Sequence, residues 1–308
     1  MRIVRDHQYV LETDRGASAA IGNFDGVHLG HQHVIDLARH DSAPLGVLTF
    51  EPHPREFFAP GAPPFRLMGA EARAHQLEKL GVEVLYELPF NRTLSELSAE
   101  QFARNVLVEG LGLTHVVVGA DFCFGKNRLG TADGLRAMGR EMGFDVTIAT
   151  LLSGDVGAVS STAIRQALTD GKPKVAANML GHWHRIEGPV IHGEKRGREL
   201  GYPTANMSLD RLHVPKPGVY AVLVDVLEGP QAGRYHGVSN LGIRPMFERD
   251  TPNLETHLFD FKGDLYGRHV SVGLVDYLRG EAKFDSLPAL ITQMDADSAR
   301  ARSILAAL

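Results

Sequence analysis

Residues 21–35 read IGNFDGVHLGHQHVI, three glycines and three histidines in fifteen positions at the end of an apolar run. That run, ASAAIGNF, has the unbroken hydrophobic character of a strand buried on both faces. Gly22, Gly26 and Gly30 let the chain turn tightly and let its backbone come close to a ligand. A helix starting near Leu29 would then point its unpaired amides and the positive end of its dipole at an anion. His28 and His31, three residues apart, share one face of that first turn. Two histidines at this spacing most simply cap a helix or fill a core. Placed after a strand and among three glycines, they point to phosphate.

Outward from this turn the first 180 residues keep one texture. LGVLTF, VEVLYELPF, THVVVGADF and FDVTIATL read as further strands, and helical periodicity occupies 29–40, 70–80, 98–110 and 130–143. Apolar strands alternating with helices predict an α/β fold, a doubly wound parallel sheet whose ligands sit beyond the carboxyl ends of its strands. The 21–35 turn lies at such an end. FEPHPREFFAPGAPPF interrupts the pattern with five prolines between Pro52 and Pro64. It is predicted as a long exposed loop of the kind that forms binding lids.

From about residue 186 the texture changes. EGPVIHG, GVYAVLVDVLEG, RYHGVSNLG, LETHLFDF and RHVSVGLVDYL are strand candidates joined by short turns, and a helical tail covers roughly 286–306. Closely spaced strands without helices between them predict an antiparallel sheet or small barrel. The change falls near GHWHRIEG, which divides the chain into domains 1–182 and 183–308.

Composition narrows the function. The 308 residues are 44% hydrophobic and carry 32 basic against 37 acidic side chains, a net charge of −5 without a basic run. That balance argues against a nucleic-acid partner. One cysteine, Cys123, excludes an intrachain disulfide. No apolar run reaches the length of a membrane span, and the first residues lack a signal-peptide core. The expectation is a cytoplasmic protein with small-molecule substrates and no membrane partner.

Three more stretches carry chemistry. SSTAIRQAL opens a helix with Ser161 and Thr162 as N-caps and Arg165 one turn on, able to fork onto phosphate oxygens. In HGEKRGRELGYPTANM, Pro203 holds Tyr202 extended and leads into a strand, so Thr204 and Asn206 face the same way. Their neutral oxygens suit a magnesium ion that takes the rest of its shell from water and phosphates, although a hydrogen-bonded turn explains the same residues. In LETHLFDF, alternation puts His257 and Phe259 on the side of Glu255, a carboxylate available as a general base. GADFCFGKN imitates a phosphate-binding P-loop, but five residues separate its glycines and Asn127 replaces the hydroxyl residue, so it is rejected.

With these stretches together, GNFDGVHLGHQ, FEPHPREFF, VVGADFCFG and SSTAIRQAL resemble the adenylyltransferase module of the bifunctional prokaryotic riboflavin kinase/FMN adenylyltransferase family. That module is a nucleotidyltransferase with an H-x-G-H motif. The second half, through GPVIHGEKRGRELGYPTANM, GVYAV, GVSNLGIRPMF, ETHLFDFKGDLYG and LRGEAKFDSLPALITQMDAD, resembles the riboflavin kinase module, a small antiparallel β-barrel with a C-terminal helix. The resemblance covers almost the whole chain in family order. It implies that riboflavin and ATP give FMN, and that FMN and a second ATP give FAD and pyrophosphate, with Mg²⁺ required. It further implies catalytic roles for His28, His31 and Glu255, and ATP or phosphate binding by Gly22, Asn23, Phe24, Asp25, Gly26, Gly30, Asp121, Ser161, Thr162, Arg165, Gly197 and Gly201. Phe57, Phe58 and Arg244 would meet the flavin, and Thr204 and Asn206 the metal. One departure is Met246, where the family usually has threonine after RP, so a hydroxyl is missing. A related aminoacyl-tRNA synthetase would need a Lys-Met-Ser-Lys-Ser-like loop where SSTAIR stands. A flavin carrier without turnover would have no use for both sets of polar residues.

Overall fold

The computed structural model describes residues 1–150, 153–154, 157–193, 201–209, 211–245 and 250–308, with the backbone alone at 153–154, 157–158, 244–245 and 250–251. The chain forms two compact units, Met1–Ala62 with Arg73–Val159 and Pro63–Ala72 with Ser160–Leu308.

In chain order the first half contains β1 (Arg2–Val4), β2 (Ser18–Ile21), α1 (Leu29–Leu37), β3 (Leu45–Glu51), α2 (Pro54–Phe58), α3 (Ala70–Lys79), β4 (Val84–Pro89) and α4 (Arg92–Ser95). It continues with α5 (Ala99–Gln101), β5 (His115–Gly119), the small hairpin β6 (Cys123–Phe124) and β7 (Gly130–Thr131), α6 (Ala132–Met142) and β8 (Asp145–Ala149). Six of these strands make a parallel sheet in the order β1-β4-β3-β2-β5-β8. Both faces are covered, so Ala19, Ala20, Val84, Leu85, Val116 and Val117 are all fully buried. Chain order reverses at β2, which has β3 on one side and β5 on the other. The loops leaving β2 and β5 therefore emerge side by side at the crevice where ligands of such sheets bind.

Besides omitting β1, α4 and the β6–β7 hairpin, the sequence reading differs from the structure in two stretches. The proline-rich stretch contains α2, started by a capping box: His53 accepts from the Arg55 amide while Glu56 accepts from the His53 amide. Histidine as N-cap and proline at the first helical position concealed it. The helix expected over 98–110 is α-helical only through Gln101 and continues to Gly110 as a π-helix, as in the Leu111 amide to Val106 carbonyl bond of 2.8 Å.

The second half begins with a short hairpin, β9 (Ser153–Gly154) and β10 (Gly157–Ala158), followed by α7 (Ser161–Thr169) and α8 (Pro173–Leu180). Then come β11 (His184–Pro189), β12 (Ala205–Ser208), β13 (Gly218–Val226), β14 (Gly233–Pro245), β15 (Asp250–Leu258), β16 (His269–Arg279) and α9 (Leu287–Leu305). The antiparallel sheet runs β11-β16-β13-β14-β15-β12. An Ile191–Asn206 bridge, with the Ile191 amide 2.8 Å from the Asn206 carbonyl, draws its two ends together into a near-barrel. Along β13 the period of two is plain. Tyr220, Val222 and Val224 enter the barrel core, while Val219, Ala221 and Leu223 lie beneath Ala301 and Leu305 of α9. Both faces of that strand are thus apolar, and the expected α/β unit followed by a small antiparallel barrel with a C-terminal helix is the observed architecture.

Candidate active sites

The β2–α1 turn is held by its own side chains. His28 is the N-cap of α1, its Nδ1 accepting from the His31 amide at 3.2 Å. The two imidazoles stack face to face, 3.6 Å between centroids and 13° from parallel. A side chain on Gly30 would press on the His28 ring at 3.2 Å, so the residue between these histidines has to be small. Phe24 and Val27 take left-handed φ values of 50° and 43°, which non-glycine residues rarely adopt. Both are fully buried, and the Phe24 ring lies 5.2 Å from His31. The packing that fixes the histidines also imposes the unusual backbone. Nδ1 of His31 is buried without a hydrogen-bond partner among the described residues. Burial, reinforced by His28 alongside, pushes the His31 imidazole well below its usual pKa, so it is neutral at pH 7. A buried neutral imidazole with an unsatisfied nitrogen is well prepared for an incoming anion.

Arg73 lies behind this turn and is almost completely buried. Its guanidinium donates to Glu51 Oε2 and Glu87 Oε2 at 3.0 Å each, and to the Asn23 carbonyl at 3.4 Å. Thr49 Oγ1 donates to the same carbonyl at 3.3 Å. Asn23 is thereby tied to Glu51, the residue that opens the proline-rich stretch. On that stretch Phe57 and Phe58 pack edge-on against Phe90, at 5.4 and 5.7 Å, and Phe90 against Phe50 at 5.7 Å. Phe58 is 68% exposed, an aromatic face presented to solvent. Asp121 is exposed in the turn after β5, its carboxylate folded back over Gly119. Within the first unit the structure thus gathers Gly22 to His31 into one turn and places Asp121 on the neighbouring loop.

On α7 the cap is Ser160, which accepts from the Ala163 amide at 3.2 Å. Ser161 and Thr162, expected as caps, instead occupy the first helical turn, because the extended backbone that an N-cap needs belongs to Ser160. Arg165 donates through Nε to the Phe65 carbonyl at 2.5 Å, and its guanidinium lies over the Phe65 ring.

The second unit holds another polar group. In the β12–β15 pair Asn206 stands directly opposite Glu255. Asn206 is buried, its Nδ2 3.3 Å from the Thr204 carbonyl and 3.5 Å from Thr204 Oγ1. Gly193 makes room for it, since a Cβ there would lie 2.5 Å from Asn206 Nδ2. Asn253, also buried, donates from Nδ2 to Asn206 Oδ1 at 3.2 Å and to Glu255 Oε1 at 3.4 Å. Beyond Glu255 on the same side, His257 and Phe259 line an open cavity of about 550 Å³ with Gly201, Tyr202, Ile291 and Arg302 among its other walls. Tyr202 donates to Asp295, and the His257 ring lies 5.0 Å from Tyr202. Gly197, Met246 and the side chain of Arg244 lie outside the described residues.

The sequence reading missed Arg73, Asn253 and the close approach at Gly193. Asn253 precedes Glu255 by two residues, so strand period alone put it on the same face. Its link to Asn206 needed the pairing of strands that bring together residues 47 apart in sequence. No cluster of three or more histidine, cysteine or carboxylate side chains fit to hold a metal occurs among the described residues. The oxygens of Thr204 and Asn206 are instead the hard, neutral donors that suit a magnesium ion arriving with phosphates.

The fold and these two constellations define a chain of two nucleotide-dependent transferase modules, and comparison with known proteins agrees. Residues 10–163 match the family model described as FAD synthetase, and residues 180–305 the one described as riboflavin kinase. The chain belongs to the bifunctional riboflavin kinase/FMN adenylyltransferase family. It is 43% identical to the Pseudomonas fluorescens protein of that name over 99% of this chain and 98% of the relative. The Escherichia coli K12 protein is 40% identical, with 98% and 97% covered, and that of Bacillus subtilis 36%, with 98% and 96%. A solved structure from Streptococcus pneumoniae, described as a macrolide-efflux protein, superposes with a TM-score of 0.83 at 33% identity, covering 97% of this chain and 98% of that one. Among the described residues no helix is long and apolar enough to cross a membrane. The chain phosphorylates riboflavin to FMN and adenylylates FMN to FAD, with ATP as the donor in both steps.

Proposed function

We propose that the two reactions are divided between residues 1–182 and 183–308, and that the chemistry of each nucleophile explains the side chains it meets. The FMN phosphate is already anionic, so its attack on the α-phosphorus of ATP needs no general base. It needs charge on the phosphates to be bound while pyrophosphate leaves, which is work for oriented imidazoles and helix-start amides. His28 and His31 take that role, with Gly22, Asn23, Phe24, Asp25, Gly26 and Gly30 shaping the turn around the nucleotide. Asp121, Ser161, Thr162 and Arg165 complete the ATP contacts, and Phe57 and Phe58 meet the flavin ring.

The riboflavin 5′-hydroxyl is a poor nucleophile and has to lose a proton. Glu255 accepts it as the oxygen attacks the γ-phosphorus and ADP departs. Thr204 and Asn206 would hold Mg²⁺, which supplies charge neutralisation on the phosphates when bound. The family resemblance assigns Gly197 and Gly201 to the ATP phosphates and Arg244 to the flavin, and the cavity beside His257 receives the riboflavin ring. A single exposed thiol, Cys123, and a net charge of −5 support a cytoplasmic enzyme that takes no nucleic acid.

One observation carries the assignment in the first module: Nδ1 of His31, buried and unpartnered among the described residues, beside the first turn of α1. The test is a time course with riboflavin, ATP and Mg²⁺, separating riboflavin, FMN and FAD. His31→Ala is expected to stop at FMN. Glu255→Ala is expected to leave riboflavin unconverted yet make FAD from added FMN. Equal loss of both steps in either variant would mean that the residues do not divide the work.

A further inference from the structure

Asn253 lies outside every motif that identifies this chain, yet it touches both polar residues of the β12–β15 pair. Its side chain faces away from the barrel core, to which its neighbour Leu254 contributes. One amide nitrogen carries two hydrogens. In Asn253 one goes to Asn206 Oδ1 at 3.2 Å and the other to Glu255 Oε1 at 3.4 Å. Asn253 is only 6% exposed, so water does not readily replace either bond.

We propose that Asn253 is a positioning residue for riboflavin phosphorylation, fixing the carbonyl oxygen of Asn206 and the carboxylate of Glu255 in one constellation. This inference rests on the reading of Asn206 as a metal ligand and Glu255 as the base. An asparagine amide presents an oxygen or an NH₂ according to a half-turn about χ2, and only the oxygen serves a cation. The donation from Asn253 selects the oxygen. A carbonyl oxygen has two lone pairs, so accepting from Asn253 is compatible with binding a cation. Gly193 leaves the room this amide occupies, since a Cβ there would lie 2.5 Å from Asn206 Nδ2. By holding Glu255 through the same nitrogen, Asn253 also sets the distance between the metal-side ligand and the group that receives the hydroxyl proton. Outer partners that orient a ligand in this way are typically worth about 10–100-fold in metal affinity or activity.

The test compares full-length wild type with Asn253→Leu, which keeps the shape and removes both donors. Binding of Mn²⁺ with ADP is read by electron paramagnetic resonance, alongside kcat and KM for riboflavin and the unfolding midpoint. Expected are Mn²⁺ binding weaker by about 10-fold, a comparable fall in kinase kcat, and FAD formation from added FMN within about twofold of wild type. If the leucine variant does not fold, Asn253→Asp, of the same shape, takes its place. It is expected to bind Mn²⁺ at least as tightly through its charge, yet to lose kcat because it no longer donates to Glu255. Unchanged Mn²⁺ affinity and kcat in a folded leucine variant, or wild-type kcat in the aspartate variant, would overturn the proposal. Asn206→Ala is run in parallel. If it leaves Mn²⁺ binding intact, the ligand reading fails and the proposal with it. If it weakens binding while Asn253→Leu does not, only the positioning role fails.

Discussion

Replacing Arg73 by methionine tests how the first module holds its nucleotide turn. Arg73 is 1% exposed and Glu87 5%, so their 3.0 Å ion pair is shielded from water. Methionine of similar length removes the charge and leaves the Glu87 carboxylate buried beside Arg5, whose side chain is largely exposed. Glu51 is a third exposed and can turn to solvent at small cost. Breaking one partner of a buried pair typically costs about 3–5 kcal/mol, and here most of it falls on Glu87. A second change, Glu87→Met, removes the stranded charge. The double variant is expected to recover at least about 2 kcal/mol of the loss, since replacing both partners by apolar groups is often near neutral. Function need not recover with stability. In the double variant nothing donates from position 73 to the Asn23 carbonyl or to Glu51, so the phosphate turn and the start of the proline-rich stretch are no longer tied. Urea unfolding followed by circular dichroism, with amide exchange over residues 84–89, reads the stability. FAD formation from FMN reads the turn, and FMN formation from riboflavin serves as the internal control. FAD formation should stay at least about tenfold down in the double variant, as misplacement near an active site commonly costs that or more. A wild-type unfolding midpoint in Arg73→Met would refute the buried-pair argument. Full FAD synthesis by the stable double variant would refute the link to the turn.

Three further outcomes follow from single features. Because burial keeps His31 neutral, ATP phosphates arriving beside it will raise its pKa, so nucleotide binding should take up a fraction of a proton at pH 7. Calorimetry in buffers of different ionisation heat measures this, and uptake unchanged in His31→Asn would exclude it as the source. His184, 3% exposed with its pKa pushed down to about 3 by burial and by neighbouring His213 and His182, makes the second unit acid-sensitive. Above about pH 6.5 the folded and unfolded histidine are both neutral; below it only the unfolded one binds a proton, so stability falls by about 2 kcal/mol by pH 5. Fluorescence of the single tryptophan, Trp183, follows unfolding, and His184→Gln should flatten the slope between pH 7 and 5. Phe58→Ala removes an exposed aromatic face, so KM for FMN in adenylyl transfer should rise several-fold while riboflavin phosphorylation is unaffected; equal KM values would remove Phe58 from the flavin site.

Five of the six parallel strands were legible as apolar runs bounded by turn residues, and the barrel strands because several alternate, whereas β1, three residues opening on Arg2, gave no such run. The functional turn was legible from glycine and histidine spacing, down to the first residue of α1. What escaped are contacts that join distant segments. Arg73 reads as one more helical arginine until Glu51, Glu87 and Asn23 surround it. The boundary at SST was misread by one residue, because three consecutive hydroxyl residues cap equally well on paper and only backbone conformation chooses Ser160. The π-helix from Phe102 to Gly110 left no sign either, since its buried residues, Phe102, Ala103, Val106, Leu107 and Gly110, fit an ordinary helical stripe equally well.

On the proposed assignment the two modules meet phosphate with opposite kinds of side chain, and each kind has its own physical requirement. Around His31 the chain removes water and leaves a nitrogen unsatisfied among the described residues, an arrangement that a carboxylate in direct contact with the imidazole would spoil by drawing a proton onto it. Glu51 and Glu87 stand behind the same turn, but Arg73 binds both and confines their charge to its own side. Around Glu255 the requirement is reversed. As the proposed base, the carboxylate has to keep its proton affinity next to a polyanion, and two neutral amides stand beside it, Asn206 across the strand pair and Asn253 two residues earlier. A lysine or arginine in place of Asn253 would also bind phosphate, but it would pair with Glu255 and weaken it as a base. Neutral amides beside the carboxylate, and a paired arginine beneath the histidines, fit the charge of the nucleophile proposed for each site.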